Sequence, residues 1–587
     1  MLRSLFRILF WIFAGIGVLA VLAIGAGAVV VDRLAQHREA LPERIALEID
    51  LAGGVDDGRG DEPWRALGGV QPVVLREAVL ALQHGAKDPR VAGAVAYLGG
   101  TPVDIAAAQE LREAVAAFRA AGKPAWIYAD GFGSLIDGTA EYYLASAFNR
   151  VWMQPSGLVG IGGVAIEAPF FGEALERIGI DPQVEQRREY KGLAETVTRS
   201  GYSDPVRHNL QRLADGWVDQ VADGVAASRH LDPVQVRALI DGAPYLGAAA
   251  RSAGLIDELG YPDAFETAAD AAVGAGERLT VSDYLAGIHD EAPAQGPAVA
   301  LIYGTGGIVM GDGEPLADGE TFDARGVARA IDDAVADEDI AAILFRIDSP
   351  GGDYPAADLV WRSVQRAEEA GKPVIVSMGA YAASGGYFVA APARRIVALP
   401  ATVTGSIGVV GGTAATAELW AKLGVHWDSV SAGKHAMLGS MVQGFSEEGR
   451  ARYAAVIDAI YADFTGKVAA GRGLDPAATE AAAGGRVWLG SDARAQGLVD
   501  EWGGLATAQD AVRDALGLAP DAPLDLRLWP DAESPLQRLF AALREGRIQD
   551  VISTFGGQAA LPETVRTLMR LGRPVGLLEL PRFRVAG

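Results

Sequence analysis

Short motifs from the first half of this chain return in the second half, in the same order and at nearly constant distance. Gly122-Lys123-Pro124 comes back as Gly371-Lys372-Pro373, 249 residues on. Tyr143-Leu144-Ala145 matches Tyr387-Phe388-Val389 at 244, and Ser156-Gly157-Leu158-Val159-Gly160 matches Thr404-Gly405-Ser406-Ile407-Gly408 at 248. Gly254-Leu255-Ile256-Asp257 matches Gly497-Leu498-Val499-Asp500 at 243. Ordered matches of this kind signal a tandem duplication. The 587 residues agree, since single cores rarely grow past about 250–300 residues. The expected layout is a first repeat over 35–286, a linker over 287–297 and a second repeat over 298–518. An extension over 519–587 comes last, with helical stretches around 535–544 and 560–571.

The repeat unit reads as α/β. Residues 45–51 alternate like a strand, 91–98 form an apolar strand, and 105–121 have helical spacing. Gly122-Lys123-Pro124 stops that helix before a strand at 125–128. In the second copy the richest stretch is 346–410. It runs from a strand into Asp348-Ser349-Pro350-Gly351-Gly352, then a helix, then a second strand entering Ala383-Ser384-Gly385-Gly386. A βαβ unit brings the glycine turn and the serine to the carboxyl ends of neighbouring parallel strands. Backbone N–H groups can then face a hydroxyl, which is the geometry of an oxyanion hole. Either element alone is more often a plain turn or helix start; the pairing is what points to chemistry.

The first copy serves as an internal control. An offset of 244 places Ala140 opposite Ser384, and 249 places Pro102-Val103 opposite Gly351-Gly352. Nucleophile and glycine turn are both missing there, so that copy by itself reads as a scaffold. It keeps Glu189-Tyr190-Lys191-Gly192 after a strand-like run at 183–186, and His435 lies 244 residues beyond Lys191.

The motifs around Gly351, Ser384 and Ser406 resemble the signal peptide peptidases of the long, duplicated protease IV type, relatives of the Clp protease and crotonase superfold. The resemblance covers most of the chain. It implies two tandem crotonase/Clp-like domains and a Ser–Lys dyad. Ser384 would be the nucleophile and Lys191, in its tyrosine-lysine motif, the general base. Ser406 would orient the lysine, although a helix N-cap before Ile407 is an equal reading of that serine. The N–H groups of Gly352 and Gly385 would hold the oxyanion, with Gly351 letting the turn approach the substrate. His435 and Lys434 compete as bases within the second copy, and Ser349 is the alternative nucleophile.

The N-terminus adds a membrane expectation. Residues 8–31 are 24 in a row without a charge, enough to span a hydrocarbon core of about 30 Å as a helix. Arg3 and Arg7 precede them, which keeps the N-terminus cytoplasmic and exports the rest. Ala26-Gly27-Ala28 also fits a cleavage site, but secretory apolar regions usually run about 7–15 residues. The chain has no cysteine, seven scattered histidines and a net charge of −24. That composition excludes disulfides and cysteine-type zinc sites and argues against nucleic acid as a partner. No cofactor or metal is expected.

The combined expectation is a serine endopeptidase in the bacterial inner membrane, with its catalytic domains on the periplasmic side. It would degrade signal peptides and other short unfolded peptides left after export, as a homotetramer anchored in lipid through residues 8–31. The rivals are a crotonase-type acyl-CoA enzyme and an inactive membrane scaffold or adaptor.

Overall fold

In the computed structural model the described residues are 40–58, 71–135, 137–274, 276–291, 295–311, 321–530, 575–579 and 585–586. The expected membrane segment at 8–31 and the helical stretches at 535–544 and 560–571 lie outside them. Among the described residues no helix is long and apolar enough to cross a membrane.

The first half builds a parallel sheet from β1 (Ile45–Leu51), β2 (Val91–Leu98), β3 (Ala125–Ala129) and β4 (Arg150–Met153). Its helices include α1 (Ile105–Ala120), α2 (Thr139–Ala145) and the long α3 (Asp204–Arg229). β5 (Asp181–Arg187) leaves this sheet altogether, while β6 (Glu277–Thr280) closes it beside β1. The sheet order is Glu258–Leu259, β4, β3, β2, β1, β6.

The second half repeats the plan. Its strands are β7 (Ala298–Thr305), β8 (Ile340–Ser349), the short β9 (Gly351–Asp353), β10 (Val374–Ala383), β11 (Arg395–Ala398), β12 (Val403–Gly405) and β13 (Val409–Ala415). Helix α4 (Tyr354–Glu369) joins β9 to β10, and α5 (Gly385–Ala390) begins directly after Ser384. β14 (Val487–Leu489), α6 (Leu505–Ala515) and β15 (Asp525–Leu528) complete it. Asp104 and Asp353, 249 apart, cap the matching helices by accepting from the amides of Ala106 and Ala356. Lys123 and Lys372 each donate to two carbonyls at matching places. Arg229 pairs with Asp257 as Arg472 pairs with Asp500.

Two features lie at the edges of the expected repeats. β15 lies parallel to β7 as β6 lies parallel to β1, so the second half's sheet extends to Leu528. The expected linker begins inside a helix, Val281–Glu291, because the fully buried Tyr284 anchors that segment on the first core and reaches Asp88. The tail also contributes strands, β16 (Val575–Glu579) and then Val585–Ala586.

The halves are not separate beads. Side chains alternate on β8, so Ile343, Phe345 and Ile347 pack into the second half's own core. Ala342 and Leu344 on the other face belong to the cluster that holds the first half's core. A strand-level splice reinforces this. β5 pairs antiparallel with β13 over seven residues, from Arg187↔Val409 to Asp181↔Ala415. The sheet containing that pair runs Thr321–Asp323, Gly307–Val309, β9, β16, β13, β5.

Buried polar groups at the junction are matched. The Asn209 amide on α3 donates to Val487 O at 2.8 Å and accepts from Val487 N at 2.9 Å. Trp217 Nε1 donates to Ala401 O at 3.0 Å. Replacing Asn209 by alanine strands a buried N–H and C=O on β14. Asn209→Ala should therefore cost about 2 kcal/mol or more, read as a lower urea midpoint for loss of the docked state.

Candidate active site

Ser384 ends β10 and starts α5 with φ 55° and ψ −115°, outside the regions an L-residue prefers. The strain is held by backbone bonds on both sides: Ser384 N donates to Gly405 O, and Ser384 O accepts from Phe388 N. Small residues make the elbow possible. A Cβ on Gly386 would lie 2.7 Å from Ser349 O.

The glycine turn stands beside it. Gly351 has φ 108°, and a Cβ on Gly352 would lie 2.2 Å from Ile308 O, so only glycine fits between β9 and its neighbour. A Cβ built on Gly385 would be 3.1 Å from Gly352 N, so the two glycines stand side by side. Ser349 is fully buried and committed, donating to Gly306 O at 2.7 Å and accepting from Gly351 N.

Lys191 arrives from the other half. It lies just beyond β5, whose pairing with β13 carries it past Ser406 and into the second domain. Its Nζ lies 2.8 Å from Ser384 Oγ, 2.9 Å from Ser406 Oγ and 2.9 Å from Ser406 O. Lys191 is 2 % exposed, and both serines are fully buried. Burial alone pushes the amine down to about 7. Near neutral pH a substantial fraction is therefore uncharged, with a lone pair available to a hydroxyl proton.

Ser406 sits in the left-handed region at φ 52° between β12 and β13, with no helix after it. The N-cap alternative for this serine is thus corrected, since Ile407 leads into a strand. His435 and Lys434 both lie exposed on the segment after β13, where Lys434 pairs with Glu448. Neither touches Ser384.

The first copy's equivalent site is filled. Tyr142 and Tyr387 donate to Leu255 O and Leu498 O, which sets the local offset at 245 rather than 244. Ser384 then falls opposite Thr139, not Ala140. Counted from the amide that bonds the next strand, it falls opposite Gly138. The Thr139 hydroxyl is bound in both directions to the backbone of Gly163. Glu141, which burial pushes up to about 7, accepts from Val103 N at 3.2 Å, where the second copy has its glycine turn. The first copy keeps a hydroxyl and an amide but spends both internally.

Some contributors carried no clear sequence signal. Gly485, at φ 78°, has room for no Cβ, because one would lie 2.6 Å from Lys191 N and Cβ. Arg486 stacks 4.1 Å over the Tyr190 ring and accepts Ser406 N at its carbonyl. The run Gly484-Gly485-Arg486 was the available hint, but nothing in it names Lys191 as its guest.

Comparison with known proteins gives the family. The model described as "Peptidase family S49" matches residues 117–275 and 366–519, one stretch in each half. "Protease 4" of Salmonella typhi is 30% identical over 510 residues, covering 84% of this chain and 78% of that protein. "Serine protease SPPA, chloroplastic" of Arabidopsis thaliana is 32% identical over 72% of this chain, an alignment that spans 63% of the plant protein. A "Putative signal peptide peptidase SppA" of Enterococcus faecium is 29% identical over 35% of the chain and 60% of its own length. With a family match in both copies and protease IV relatives along most of its length, the chain belongs to peptidase family S49.

Proposed function

We propose that this protein is a membrane-anchored serine endopeptidase working through a Ser384–Lys191 dyad, and that its substrates are signal peptides left in the membrane after export. The observation that carries the dyad is the buried 2.8 Å contact between Lys191 Nζ and Ser384 Oγ. The neutral amine takes the Ser384 proton while Oγ attacks the scissile carbonyl. Gly352 and Gly385 amides meet the oxyanion that forms. Collapse of the intermediate expels the amine product, which takes the proton back from the Lys191 ammonium and leaves an acyl-enzyme on Oγ. Water, activated by the same amine, releases the second peptide. Ser406 holds the amine in line throughout, through its hydroxyl and its carbonyl.

An extended peptide suits this site. β16 lies between β9 and β13, with Leu578 in register with Gly352 and Leu577 with Val410. The slot beside the glycine turn thus accepts a main chain in strand form, and a substrate pairing there takes the place of β16. The Enterococcus relative's name and the uncharged segment at 8–31 support signal peptides and a periplasmic site. For the homotetramer, the support is apolar surface: the segment after β13 exposes Leu423, Val425, Trp427 and Val430, which self-association would cover.

Ser384→Ala should reduce hydrolysis of a signal-like peptide to background with an unchanged melting curve. Lys191→Ala and Lys191→Arg should each lower kcat at least about 100-fold, because arginine stays charged, whereas His435→Ala retains wild-type turnover. Full activity in Lys191→Ala would remove the lysine from the mechanism.

The pH profile has a definite sign. A base with its pKa lowered to about 7 is protonated and idle below that value. Fluorophosphonate labelling of Ser384 should rise roughly tenfold per pH unit below it and level off above. A midpoint near 10 would mean an exposed lysine.

For topology, external protease added to spheroplasts should digest an epitope at Gly587. Protection until lysis would contradict the exported arrangement.

A further inference from the structure

β8 and β10 run in register from Ile343↔Val374 to Ile347↔Met378 and then slip, so that Ser349 pairs with Ala382. β10 thus uses four residues where β8 uses two. At the same point β10 changes its other neighbour, from β11 up to Met378 to β12 from Tyr381. Gly379 and Ala380 fall in the gap on both sides. Side chains and carbonyls hold this bulge instead of a ladder: Thr402 Oγ1 donates to Gly379 O at 2.7 Å, and Tyr381 N donates to Asp348 Oδ1 at 2.8 Å. A bulge re-aims the residues beyond it. Here those residues are Ser384 on β10 and the oxyanion turn at the end of β8.

A carboxylate from the first half is seated in this bulge. A Cβ on Gly379 would lie 2.4 Å from Asp57 Oδ2, so the missing side chain is what admits Asp57. Arg346 on β8 holds it, with Nε at 3.0 and 3.1 Å from its two oxygens and Nη2 at 2.6 Å. The same guanidinium donates to Ser377 Oγ on β10 at 2.8 Å and to Glu110 Oε2 on α1 at 2.7 Å. Glu110 in turn accepts the amide of Leu505 at the start of α6. One buried cation therefore ties both catalytic strands to two segments of the first half.

We propose that Asp57, clamped by Arg346 in the Gly379 bulge, is a positioning residue that sets the Ser384 elbow against the Gly351-Gly352 turn. The proposal rests on the peptidase reading of that site. Buried ionic clusters are poor stabilisers compared with apolar packing of equal volume, whereas a directional one can fix a single arrangement. Asp57 touches neither substrate nor reacting atoms. It acts through the bulge, and a displacement of about 1 Å in a catalytic pair is worth about 100-fold in rate.

The test uses the full chain in detergent, with active sites counted by fluorophosphonate burst so that misfolded protein drops out. Asp57→Asn keeps the shape and loses the charge. Its kcat per active site should fall at least tenfold with KM within twofold, because the elbow shifts against the turn while the β9 and β13 edges that would pair with the peptide keep their own ladders. The pH midpoint of labelling should stay at the wild-type value, since Lys191 is not moved. Gly379→Ala displaces Asp57 while keeping every charge, and must give the same split. Wild-type kcat per active site in either variant overturns the proposal, as does a loss confined to the number of active sites. A Ser384→Ala protein that still turns over would take the nucleophile away from this site and sink the reading the proposal rests on, which separates the two failures.

Discussion

Everything at this site depends on burying one amine. Among the described residues, Lys191 at 2 % exposure has only hydroxyl and carbonyl oxygens bonded to its nitrogen, and burial is the cause that moves its pKa. A carboxylate there would hold the ammonium charged and useless as a base. Lowering the pKa from 10.5 to about 7 disfavours the cation by roughly 5 kcal/mol. That cost falls on folding, and it is offset by the docking of the two halves: the β5–β13 ladder, the shared apolar cluster and the Asn209–Val487 pair. The lysine can thus lose its proton near neutrality because the halves are docked.

The duplication explains how two similar domains came to do unlike work. Both present a strand, a turn and a helix at the same place, and both keep the tyrosine that bonds the carbonyl of the later leucine. In the first copy Glu141 fills the turn and Gly163 takes the hydroxyl of Thr139. Those substitutions satisfy buried polar groups that would otherwise be left without partners. The second copy leaves the corresponding space to another chain segment: Lys191 on one side, an extended strand on the other.

Much of this was legible in the sequence. Repeats expose themselves by spacing, and Ser384 and Gly352 stand out because small residues are costly in strands unless geometry demands them. The strand and helix order of 346–410 came from periodicity alone. The one-residue slip from 244 to 245 was not legible, because two adjacent tyrosines, Tyr142 and Tyr143, both match Tyr387 by type. Only the hydrogen bond to Leu255 O distinguishes them. Nor was the splice of β5 into the second half's sheet, since a pairing as distant as Arg187 with Val409 leaves no periodic trace. β15 was hidden by its short alternation, D-L-R-L, in what composition presented as an extension. Asp57 stands among Gly53, Gly54 and Gly58 with no motif to single it out, and its place over Gly379 exists only once the halves meet.

The same dependence runs through each contact that joins the halves. β5, Asp57, Glu110 and Lys191 all belong to the first half, and β13, Gly379, Arg346 and Ser384 to the second. Neither half holds the Lys191–Ser384–Ser406 cluster by itself. In the second half alone Ser384 would lack both the Lys191 amine and the Asp57 carboxylate seated in the Gly379 bulge. In the first half alone Lys191 would be exposed to water, regain its charge and carry no nucleophile beside it. Assembly of the interface and assembly of the chemistry are therefore one event. The apolar face of β8 favours that event: Ala342 and Leu344 lie outside the second half's own core cluster and belong to the one that holds the first half's core.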